Sequence, residues 1–194
     1  MQPTDLSQPE DLFAGSPPGE FVHWLREQGA HHDLVGYVEE RGEGLEAFWE
    51  TCPRGDWMLS LIARQEGSDR LLIQLAAYVA QIAKEQLPDE ASLARETLAK
   101  LLRDETLTPE AIAALEAETE AQQDPAAHHA WLAVLIAARA HLIPGEVPNL
   151  VPVLVQAAVM DAGDCAFMAV IAYVQRRTAD IVRTHAPHLH VRQR

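Results

Sequence analysis

The chain is cut by Pro and Gly into short Ala- and Leu-rich stretches, and the cuts carry helix-boundary chemistry. Thr108-Pro109-Glu110 sets a capping hydroxyl before a proline and an acid, and Asp124-Pro125 repeats the start signal further on. Proline is tolerated at the first helical position because its missing N–H would be unbonded there anyway. The preceding side-chain oxygen takes up one of the donors that a helix start leaves free. Between the cuts, apolar residues recur at helical spacing, and alternation with a period of two is absent. This pattern predicts an all-α chain: an irregular orthogonal bundle of about 8–10 helices. Three Ala-rich segments, 71–87, 126–142 and 165–184, lend it a weakly repeat-like character.

The same signals set the expected organisation. Residues 1–18 hold four prolines and several acids and read as a flexible acidic lead-in. Residues 19–187 read as a single helical domain, and residues 188–194 as a polar tail. Helices are expected over Leu45 to Thr51, from Asp56 to Arg64 and over Leu71 to Leu87, with Asp56 and Ser68 or Asp69 as caps. The segment from Ala47 to Arg64 gathers Phe48, Trp49, Cys52 and Trp57 around the turn Pro53-Arg54-Gly55. Trp49, Cys52, Trp57 and Leu61 are the expected core residues here, joining two helices across that turn.

Charge is unevenly placed. The formal net charge is −14, from 29 acids against 15 bases. Residues 1–50 hold 11 acids and 2 Arg, and residues 104–124 hold 7 acids and no base. Such faces repel nucleic acid and anionic membranes and attract cations. Glu39, Glu40, Glu43, Glu116 and Glu120 lie in segments with few basic neighbours and are the candidate partner-binding residues. The plainer reading is a solvated, solubilising surface.

Catalytic and metal chemistry is thin. Cys52 and Cys165 are far apart and have no metal spacing, so both are expected as packed, reduced thiols. His31-His32 and His128-His129, with Asp33 and Asp124 near them, are the metal candidates. Adjacent histidines are expected to point apart and supply one ligand per pair, so neither metal nor cofactor is expected. Ser60 and Ser92 lack a nucleophile elbow, and Cys52 has no histidine near it in sequence. Arg176 and Arg183 flank Asp180 at ion-pair spacing, which favours pairing over phosphate binding. The amino-terminal residues lack a basic region followed by an apolar run. The longest apolar run, Trp131 to Ala138, is too short to cross a bilayer. A cytoplasmic chain with no membrane contact and no direct nucleic-acid contact is expected.

Three stretches carry a resemblance. They are Trp49 with Cys52-Pro-Arg-Gly-Asp-Trp-Met-Leu59, the Ala-rich helix from Tyr78 that ends in Leu87-Pro88 and leads to Glu96-Thr97-Leu98, and Ala179-Asp-Ile-Val-Arg-Thr-His-Ala-Pro187. Together they resemble the immunity-protein class of bacterial polymorphic toxin systems, its fifth immunity class and relatives, over roughly residues 45–187. The resemblance implies an all-helical intracellular protein that binds and neutralises a toxin. It transfers no residue-level binding site. The acidic extension over residues 1–44 and the acidic helix in the middle depart from the pattern. The expected function is non-enzymatic binding of a protein partner, with a cationic toxin as the form the resemblance implies. Two alternatives stay open: an acidic nucleic-acid mimic that binds a basic nucleic-acid-handling protein, and a helical enzyme with a pocket between helices.

Overall fold

The computed structural model describes residues 18–65, 67–142, 151–162 and 168–187. The lead-in over 1–17, Cys165 and the tail over 188–194 lie outside the described residues. The described residues form ten α-helices and one 3-10 helix, with no strand among them. The protein is therefore an all-α, multi-helix chain, as its periodicity predicts. Where the sequence reads as one domain over 19–187, the chain divides into two compact units. One comprises Met1–Cys52 with Ala186–Arg194, and the other comprises Pro53–His185.

The first unit contains α1 (Pro18–Glu27), α2 (His32–Arg41) and α3 (Leu45–Thr51). Each helix turns an apolar stripe inward: Phe21 and Leu25 from α1, Leu34 and Val38 from α2, Phe48 and Trp49 from α3. The Phe21 and Phe48 rings pack at 5.5 Å between centroids, and Tyr37 meets Phe48 edge-on at 6.3 Å. Gly42 closes α2 at φ 61, and its N–H reaches the carbonyls of Val38 and Glu39. A side chain at that φ would be strained, so glycine is the residue that ends this helix cleanly. The Trp49 indole N–H donates to the Ala186 carbonyl at 2.9 Å, which ties the end of the described chain into this unit.

The second unit contains α4 (Gly55–Ile62), α5 (Asp69–Ala80), a 3-10 helix (Gln81–Gln86), α6 (Ser92–Leu102), α7 (Pro109–Ala121), α8 (Pro125–Leu142), α9 (Val151–Ala162) and α10 (Met168–His185). α8 is central and packs against α5, α6, α7 and α9. Its buried face is mostly alanine, with Trp131, Val134 and Leu135 set among Ala127, Ala130, Ala133, Ala137, Ala138 and Ala140. Small side chains let helix axes come close, so an Ala-rich interior holds several neighbours around one helix.

The boundary chemistry holds where the start signals are strongest. The Thr108 hydroxyl accepts from the Ala111 N–H at 3.2 Å, and the Asp124 carboxylate accepts from the Ala127 N–H at 2.7 Å. Elsewhere the structure differs from expectation. The helix expected over 71–87 is α-helical only to Ala80 and then tightens into the 3-10 helix. Pro88 accounts for where the helix ends, because proline disfavours α geometry in the residue before it and Leu87 is extended at ψ 125. Ser68 is the N-cap residue of α5, as expected, but its hydroxyl bonds back to the Gln65 carbonyl instead of taking a helix N–H. Asp56 lies inside α4 and pairs with Arg54 at 2.6 Å. Its backbone N–H is taken by the Gln175 side chain at 3.2 Å. Gln175 also accepts from the Gln156 amide at 2.8 Å, so α4, α9 and α10 meet through buried polar groups. Gly55 sits against α10 so closely that an added Cβ would lie 2.4 Å from the Thr178 Cβ.

Candidate functional site

Folding neutralises much of the acidity that the sequence leaves open. Glu39 pairs with Arg26 of α1, and Glu116 pairs with Arg139 of α8. Glu43 pairs with Arg41 at 2.7 Å and also accepts from the Thr51 hydroxyl at 3.2 Å. The hydrogen bond that Arg41 donates to Glu43 raises the guanidinium's pKa above the ordinary arginine value. The expectation that Glu39, Glu43 and Glu116 lack internal neutralisation is therefore corrected. For Glu39 and Glu116 the reason is tertiary, since the partner arginines arrive from helices 13 and 23 residues away. Glu40 and Glu120 remain exposed, with no cationic partner among the described residues. On α7, Glu110 and Glu118 share that condition, while only Ile112, Leu115 and Thr119 of this helix are buried.

Trp49 and Cys52 are buried in the first unit, and Leu61 is buried in the second. Trp57 is only half-buried. The Arg54 guanidinium lies over its ring at 4.5 Å, so the cation supplies cover on that side.

His31 and His32 do not point apart. Their rings lie 4.3 Å apart, and a ligand atom from each, with one from Asp33, falls within a 4.8 Å cluster. His31 is the N-cap residue, with extended φ and ψ of −58 and 139, so the helical divergence of neighbouring side chains does not apply to it. The His31 Nδ1 is already used as an acceptor for the Asp33 N–H at 3.3 Å, and all three side chains are exposed. The second pair is tied to its surroundings. His128 Nδ1 meets the Thr119 carbonyl at 3.0 Å, and His129 Nε2 lies 3.9 Å from Asp161.

Within the second unit, a cleft of about 560 Å³ opens among α5, the 3-10 helix, α9 and α10. Tyr78 and His185 stack along one part of it, with centroids 3.8 Å apart and planes inclined by 14°. Tyr173, Lys84, Arg177 and Asp180 also line it. Tyr173 is 58% exposed, unusual for so large a ring. The expected Arg176–Asp180 pair does not form among the described residues, because Asp180 pairs with Arg183 at 3.1 Å. The sequence reading missed this cleft. Its only advance signal was a tyrosine in each of two Ala-rich helices and the doublet Arg176-Arg177.

No helix of the described residues is long and apolar enough to cross a membrane. No protein-family model, curated protein or solved structure matches the chain. The class defined by fold is an all-α, multi-helix protein.

Proposed function

We propose that this chain is a non-enzymatic binding protein of the toxin-neutralising, immunity type, and that α7 contributes to the surface that meets a cationic partner. One observation carries the reading: α7 exposes Glu110, Glu118 and Glu120 without a cationic partner among the described residues. Glu118 and Glu120 lie in the last turn of α7, where the negative end of the helix dipole disfavours an acid. At Glu118 and Glu120 the arrangement gains nothing for the fold. It does raise the association rate with a cationic partner, in a salt-dependent way. The motif resemblance supports a toxin as that partner.

The test takes as partner a toxin encoded beside this gene, and a gene neighbourhood that holds none counts against the toxin reading. Stopped-flow association is measured for the native chain and for Glu118→Lys/Glu120→Lys. Association should slow several-fold at low salt, with the dissociation rate changed far less. Glu116→Lys is the wrong probe, because it also breaks the pair with Arg139. Binding that ignores both the reversal and ionic strength would remove α7 from the interface. Competition by duplex DNA for the same partner would favour the nucleic-acid-mimic reading.

A further inference from the structure

The cleft of the second unit is an exception in the charge pattern of this protein. Most described cations are already engaged. Arg26, Arg41, Arg70, Arg103 and Arg139 pair with carboxylates, and Arg95 donates to the Leu87 carbonyl at 2.6 Å. Lys84 and Arg177 have neither a carboxylate nor a carbonyl partner among the described residues, and both line the cleft. Of the two acids in the lining, Asp180 is paired with Arg183, which leaves Glu85 against two cations. The cleft is thus close to neutral, and it holds two cations without a carboxylate or carbonyl partner among the described residues, in a chain whose formal net charge is −14.

Its aromatic content is the second element. The exposed Tyr173 ring is open to contact. His185, also exposed, is held flat against Tyr78 and so offers its other face. Flat rings bind well to flat rings, and an arginine adds to such a site by stacking as well as by charge. A volume of about 560 Å³ lies in the range of small-molecule sites.

We infer that this cleft binds a small ligand consisting of a flat ring joined to an anionic group. Tyr173 and the Tyr78–His185 stack take the ring, and Arg177 and Lys84 take the anion. Nucleoside phosphates and aromatic carboxylates share this chemistry. The inference does not depend on the toxin-binding proposal, since the cleft and α7 use different residues.

The experiment is an NMR titration of the full chain with four probes: adenosine monophosphate, benzoate, adenosine and inorganic phosphate. Adenosine monophosphate or benzoate should shift the ring resonances of Tyr173 and His185 saturably, and the stronger of the two names the source. Adenosine and phosphate, each lacking one half of the ligand, should bind at least about tenfold more weakly. Arg177→Gln and Lys84→Gln should each weaken the better probe about tenfold. Both positions are exposed, so the fold should persist, and unchanged thermal melts check this. Lys84→Gln gives an independent reading should Arg177→Gln fail to fold. The inference is overturned if neither ring-bearing anion saturates the shifts at millimolar concentration. It is equally overturned if adenosine binds as tightly as its monophosphate, or if the folded variants bind as the native chain does.

Discussion

Replacing Gly55 by alanine puts a methyl group where α4 meets α10. The added Cβ would lie 2.4 Å from the Thr178 Cβ, 2.5 Å from its Cγ2 and 2.9 Å from the Ala179 backbone nitrogen. Carbon atoms pack best at about 3.5–4.0 Å, so the overlap is on the order of 1 Å. Thr178 and Ala179 are fully buried, and the third clash is with backbone, so no flexible side-chain end can swing away. The helices must separate instead. Overpacking of this kind costs about 1–3 kcal/mol, and the backbone clash places Gly55→Ala at the upper end. Alanine recovers up to about 1 kcal/mol through its better helix propensity. The net loss is then about 2 kcal/mol, which lowers the melting temperature by about 4–8 °C in a chain of this size. Urea unfolding followed by far-UV circular dichroism measures it. Thr178→Gly removes two of the three close atoms. The double variant should therefore lose less than the sum of the single losses, by about 1 kcal/mol or more. A Gly55→Ala protein within about 0.5 kcal/mol of the native chain would refute the close-approach argument.

Gly36 is the counterpart: it lies inside α2 with nothing within 4 Å of its missing Cβ, so Gly36→Ala should stabilise by about 0.5–1 kcal/mol in the same urea assay. Trp49→Phe keeps a ring in place but removes the donor to the Ala186 carbonyl, and should cost about 1–2 kcal/mol by thermal melting, a packing loss included. The Lys100 hydrogen bond holds the exposed Glu96 carboxyl below its ordinary value of 4.5. A depressed carboxylate stabilises the fold above its unfolded pKa and loses that contribution as pH falls through the lower folded value. Glu96→Gln should therefore flatten the melting-temperature profile below pH 4.5, and a profile unchanged there would show the pair inert.

Local chemistry was legible at the strongest helix starts, though not at Asp56, which lies inside α4, nor in the Arg41–Glu43 pair two residues apart. The caps at Thr108 and Asp124 are sequence patterns that act over three residues, and they form as read. The all-α class followed from periodicity alone. What the sequence left open depends on helices brought together from a distance. The acid at Glu116 looks uncompensated until α8 delivers Arg139, and Arg26 answers Glu39 in the same way. Asp180 had two arginines at helical spacing, and only the geometry of α10 chooses Arg183. The cleft could not be read at all, because its lining is drawn from segments nearly a hundred residues apart in a chain without an alternating or metal-binding signature. Trp57 shows the limit from the other side: a large apolar ring near a turn reads as core, yet a neighbouring arginine can cover it instead.

The hydrogen bond from Trp49 to Ala186 spans 137 residues of sequence, and it has a consequence for synthesis. A ribosome adds about 5–20 residues per second, so the Trp49 indole emerges on the order of ten seconds before its acceptor. Throughout that interval the first three helices exist without the segment that completes their unit, while the whole of Pro53–His185 is being made. The first unit to leave the ribosome is accordingly the last to be finished. A nascent chain stalled anywhere before Ala186 carries the indole N–H without its acceptor. The step that completes the first three helices is thereby tied to the synthesis of Ala186, which makes their protection from proteolysis a direct report on whether the chain was made through to Ala186.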